Sequence, residues 1–110
     1  PVMKWAEMAH KAQLQAVTLA VQADIAQSFL NVKTAEQRVA TADAGVTNAQ
    51  EALRLAQGRY NAGLGIFLDV LDAQNALLTA QTNRVNAQSA LNQARAALAH
   101  ALNADPALAQ

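Results

Sequence analysis

Large and small apolar residues alternate along this chain on a seven-residue period, and that pattern restricts the fold more than any other feature. Ile25, Val32, Val39, Val46, Leu53 and Tyr60 recur every seven residues. Ala35, Ala42, Ala49 and Ala56 follow the middle four at a distance of three. Further along, Val70, Leu77, Leu91 and Leu98 hold the equivalent place, with Arg84 as the one exception. Ala73, Ala80, Ala87, Ala94 and Ala101 accompany them without a gap. Two such segments predict a left-handed, antiparallel coiled-coil contact. Its helix–helix seam sets Val32, Val39, Val46 and Leu53 against Val70, Leu77, Leu91 and Leu98, so that branched residues of one helix cover alanines of the other.

Alanine explains why the seam is the whole fold and not the edge of a larger core. Hydrophobic residues make up 53% of the chain, but 28 of the 110 are Ala and only 4% are aromatic. Alanine buries little area, which disfavours one thick globular core. It is the best helix former and lets two helices approach to the short end of the 8–10 Å range.

Breaks in the pattern set the boundaries. Helix one is expected over about residues 2–62, interrupted only by Gly45 and Gly58, each costing about 1 kcal/mol relative to Ala. Half of the glycines fall in Gly63-Leu64-Gly65, so the tip is placed at 62–66. Helix two is expected over about 66–103, with a tail over 104–110 that begins at the Asp105-Pro106 stop. The chain reads as one all-α module, a long antiparallel hairpin with unequal helices. Gly63 is suited to a left-handed helix C-terminus. Asp69 and Asp72 lie in the first turns of helix two, where the macrodipole favours negative charge.

Two further features ask for neighbours. Leu71, Leu78 and Val85 form a second heptad stripe, and Ala76, Ala90 and Ala97 extend the small surface on the opposite flank. Helix one also outruns helix two, leaving Trp5, Met8, Leu14, Val17 and Val21 without an intrachain partner. A lone two-helix hairpin is marginal, so self-association into a helical barrel or bundle is expected. Gln and Asn total 20 residues against 16 charged ones, a composition suited to helices packed on both flanks or lining a wet conduit.

Other function classes are disfavoured. No apolar run approaches the roughly 20 residues of a membrane-spanning helix, and no secretory signal opens the chain. A start at Pro1 is expected to reflect processing, trimming or excision. Zero cysteines removes disulfides and thiolate chemistry without fixing the compartment. Zero net charge without a basic cluster argues against nucleic acid. His10 and His100 lack metal-ligand spacing, and no phosphate loop or catalytic motif occurs. No enzyme activity, metal or cofactor is expected. Arg84, inside the seam, is expected to snorkel outward or pair with Glu or Asp on helix one.

The turn segment, YNAGLGIFLDVLDAQ, set in Ala-rich heptads, resembles the periplasmic tip of the TolC-type outer membrane efflux factors, whose pattern there is YxxGxxxxxDVLDAQ. The likeness extends over about residues 14–103 and includes the unequal helix lengths. The resemblance implies a trimeric tube with a β-barrel outer end and a helical periplasmic part, each protomer contributing two similar repeats. This chain matches one repeat, its wording closer to the second. It would be the periplasmic, helical part of a Gram-negative outer membrane protein, reaching the membrane only through a β-barrel that this chain lacks. Implied partners are a periplasmic adaptor and, through it, an inner-membrane pump.

By the same resemblance, Asp69, Asp72 and Tyr60 belong to the channel entrance, and Gly63, Leu64 and Gly65 to the adaptor-docking tip. The alternative readings are helix-start carboxylates facing solvent, a seam-capping tyrosine and plain turn geometry, the last compatible with docking. The family's locking arginine falls at Gly65 and is missing. Ile66 stands where many members carry a capping Ser or Thr, so helix two is expected to begin a residue or two differently. Two alternatives remain at this point. One is the α-hairpin of a periplasmic efflux adaptor, although Arg54 and Asn61 do not supply that family's tip set. The other is a purely structural coiled-coil oligomerisation module or engineered fragment.

Overall fold

The proline-free stretch Val2–Asn61 forms one helix, α1, and Phe67–Asn103 forms a second, α2. They pack as a hairpin, and no strand occurs among the described residues. The computed structural model describes residues 2–105. Pro106 and the rest of the expected tail to residue 110 lie outside them. Neither Gly45 nor Gly58 interrupts α1, as expected when alanine-rich neighbours offset a cost of about 1 kcal/mol each.

The chain divides into two units, residues 34–92 and the remainder on either side of them. In the 34–92 unit the heptad positions are the covered ones. Ala35, Val46, Val70 and Leu91 are buried, and Val39, Ala42, Ala49, Leu53, Ala56, Ala73, Leu77, Ala80 and Ala87 are half-buried. Arg84 is the exception in space as in sequence. It leaves the seam, and its Nε lies 3.0 Å from Asp43 Oδ1 in an ion pair across the hairpin. Both side chains are more than half exposed, 58% and 53%, so the pair is worth only about 0.2–1 kcal/mol. With no large apolar α2 residue in the seam row between Leu77 and Leu91, this level of the seam is thin. An open groove of about 720 Å³ lies there, lined by small and polar residues including Thr34, Thr41, Gly45, Ala80, Asn83 and Ala90.

In the other unit Ser28, Val32, Ala101 and Asp105 are buried, and Thr18, Val21, Ile25, Ala94 and Leu98 are half-buried. Ser28 stands in the small slot three residues after Ile25, and Val21 occupies that slot one heptad earlier. Val21 therefore belongs to the covered stripe, which corrects its expected place among the unpartnered residues. Thr18 continues the large-residue row and satisfies its hydroxyl locally, donating to Leu14 O at 2.8 Å. Trp5, Met8, Leu14 and Val17 remain exposed.

Candidate functional site: the hairpin tip

The turn is built by backbone hydrogen bonding before any side chain acts. Gly63 takes φ +76°, the left-handed conformation that costs other residues about 1–2 kcal/mol. That conformation turns two amides back onto the end of α1. Leu64 N–H donates to Arg59 C=O at 2.8 Å and Gly63 N–H to Tyr60 C=O at 3.1 Å. The two bonds form a Schellman motif and satisfy carbonyls that the helix end would leave unpaired. Gly65 N–H adds a third bond to Arg59 C=O at 3.1 Å. A side chain at Gly65 would set its Cβ 3.1 Å from Arg59 Cβ, so the second glycine answers a close approach.

At the far side of the turn α2 begins at Phe67. Asp69 N–H donates to Ile66 C=O at 3.1 Å, which places Ile66 where a capping side chain would sit. Ile66 has no acceptor to offer and is exposed. Asp69 carries negative charge into the first turn, where the helix dipole favours it.

Tyr60 and Phe67 close the base of the turn. Their ring centroids are 5.7 Å apart with the planes tilted by 60°, a favourable aromatic geometry. Tyr60 is only half covered, so it does not cap the seam as a buried residue. Phe67 escaped notice in the sequence, although a turn centred near residues 63–64 reflects position 60 onto position 67.

Beyond this pair the tip is apolar and open. Leu64 is 81% exposed, and Ile66, Phe67 and Leu68 are each more than half exposed. Leu64 thus makes no cover for the end of α1, and its side chain is presented outward. Asp69 shares a shallow concavity with Ala52, Leu55, Ala56 and Arg59. Asp72, one turn further along α2, is also exposed. The turn therefore brings Tyr60, Gly63, Leu64, Gly65 and Asp69 to one end, with Asp72 beside them. Among the described residues no group of three or more His, Cys, Asp or Glu side chains is placed to hold a metal ion.

A chain of this design is a long antiparallel helical hairpin whose rigid turn presents an apolar tip beside two carboxylates. The sequence profile of the family described as outer membrane efflux protein matches residues 3–104, and the chain belongs to that family. It is accordingly a component of an outer membrane efflux channel, from a family of transport proteins. Neither a comparison with curated proteins nor one with solved structures gives a match. No helix among the described residues is long and apolar enough to cross a membrane.

Proposed function

We propose that this hairpin is one stave of a periplasmic helical tunnel, with its tip forming the channel entrance and docking a periplasmic adaptor that joins it to an inner-membrane pump. The chain acts as a single hairpin module in this reading. The observation that carries it is the tip: a tight turn held by three backbone bonds that nevertheless exposes Leu64, Ile66 and Phe67. Contiguous apolar surface of this kind on an ordered turn marks a site for a partner. Gly63 and Gly65 keep the turn slim, and Leu64 supplies the outermost apolar contact.

Asp69, Asp72 and Tyr60 serve the entrance. When several copies converge on one axis, each contributes two carboxylates to a ring. Low-dielectric walls focus that negative potential, so cations are admitted and retained while anions are repelled. With glycine at position 65, no arginine in that place neutralises the ring. In the full-length channel, Asp69→Ala combined with Asp72→Ala is expected to weaken cation block of single-channel conductance by about tenfold or more. Planar-bilayer recordings over a series of divalent-cation concentrations measure this. An unchanged blocking constant would remove both residues from the entrance.

A further inference from the structure

The groove beside the thin level of the seam has polar walls whose groups the hairpin itself does not use. Arg54 and Arg84 pair with Glu51 and Asp43. Arg38, exposed on the groove's rim, has no ion-pair partner among the described residues. Thr18, Thr47 and Thr82 donate their hydroxyls to the carbonyl four residues back. Thr34 and Thr41, in the groove wall, make no such bond. Gln88 and Asn92 bond each other on α2, whereas Asn83 and Asn86 bond no described residue.

Two departures from the heptad open this space. Arg84 leaves the seam towards Asp43, and Gly45 takes a side chain out of the wall, where an added Cβ would meet nothing within 4 Å. Glycine is disfavoured in a helix interior, and no turn or close approach within the hairpin calls for this one. Asp43 and Gly45 stand two residues apart, on opposite faces of α1, so the ion pair stays clear of the groove. The groove shares its face with the tip carboxylate. Gly45, Ala52 and Arg59 form one heptad row, as do Asp69, Ala76 and Asn83; Gly45 and Asn83 line the groove, while Ala52, Arg59 and Asp69 share the concavity near the tip.

We propose that this groove binds an organic carboxylate, its carboxylate paired with the Arg38 guanidinium and its apolar body laid over Ala42, Ala80 and Ala87. A guanidinium presents a planar fork of donors that matches a carboxylate. Arg38 is the single cation among the lining residues, which suits a monoanion, and no Asp or Glu lines the groove to repel one. The alanine floor offers apolar contact, and the free hydroxyls and amides of Thr34, Thr41, Asn83 and Asn86 supply hydrogen bonds at its edges. A volume of about 720 Å³ lies within the range of small-molecule sites. Binding needs one hairpin only and goes beyond the tunnel reading; under that reading the same face meets the conduit, and the groove holds anionic cargo.

Titrating the 110-residue chain with naphthoate, followed by amide chemical shifts in an isotope-labelled sample, tests the assignment. A Kd of about 1 mM is expected, with the largest shifts at Gly45, Asn83 and Asn86. Neutral naphthamide, of the same shape, should bind about tenfold more weakly. Arg38→Gln should weaken naphthoate binding by about tenfold, and Gly45→Leu should abolish it by filling the groove. Both variants should keep their helicity, since Arg38 is exposed and the space beside Gly45 is open. Equal binding of naphthoate and naphthamide, or an unchanged Kd in Arg38→Gln, overturns the carboxylate site. Absence of saturable binding, or shifts centred on Leu64 and Phe67, overturns the groove. Each of these failures leaves the tunnel reading standing, because that reading is judged by assembled mass.

Discussion

Replacing Leu91 by alanine is expected to destabilise the hairpin by about 2–4 kcal/mol, the largest effect of any single apolar truncation in this chain. Leu91 is 4% exposed. It is also the first large α2 residue after the thin level left by Arg84, so no neighbour on its own helix is placed to fill the gap. Removing three carbon groups forfeits about 0.8 kcal/mol of transfer energy for each, and the remaining cavity adds to that. A two-helix fold has little stability to spare. Thermal unfolding followed by circular dichroism should therefore show Leu91→Ala partly unfolded near room temperature. Leu78→Ala provides the contrast, because Leu78 is mostly exposed. Under conditions where the chain is monomeric it should change stability by about 0.5 kcal/mol or less.

Arg84→Leu should act in the opposite direction. Position 84 is a seam position by spacing, and the side chain leaves it only because a guanidinium cannot be buried there unpaired. The substitution removes an exposed ion pair worth about 0.2–1 kcal/mol. It gains a leucine in a half-buried slot, and fully burying such a side chain is worth about 1.5–3 kcal/mol. Half of that burial still exceeds the ion pair, and a net gain of up to about 1 kcal/mol is expected. That gain corresponds to a rise in Tm of several degrees at fixed protein concentration. Asp43→Ala alone should lower stability by no more than about 1 kcal/mol. A fall in Tm for Arg84→Leu would mean that the ion pair outweighs the seam.

How much of this was legible in the sequence depends on which interaction fixes each residue. Val46, Val70, Ala35 and Leu91 sit where a seven-residue count puts the seam, because burial in a coiled coil follows helical periodicity alone. Ser28 and Val21 evaded the same count, since a search for alanine in the small slot passes over a serine and a valine. The turn was readable at Gly63, whose positive φ is a backbone demand that few other residues meet. The approach of Gly65 to Arg59, and the tilted contact of Phe67 with Tyr60, depend on how tightly the chain reverses. No local pattern states that. The partner of Arg84 needed the register: a free choice among the acids of helix one became Asp43 only when the turn fixed which residues are level. Asp69 and Asp72 were visible as helix-start carboxylates, and the geometry adds their exposure beside an open apolar tip.

The expectation that α2 would start differently for want of a capping side chain resolves simply. The helix begins at Phe67, with the Ile66 carbonyl accepting from Asp69 N–H. The backbone thus starts the helix without help from the side chain at position 66. The adaptor alternative gives way to the family match, which lies with the outer membrane channels.

The claim that this hairpin is a tunnel stave is tested most directly by its assembled mass. A family protomer holding two such repeats in a trimer implies a ring of about six hairpins when single hairpins assemble alone. Sedimentation equilibrium or native mass measurement across micromolar concentrations should show a closed species of about six chains, with helicity retained. A well-folded chain that remains monomeric throughout that range, with its Leu71–Leu78–Val85 stripe still uncovered, would contradict the account.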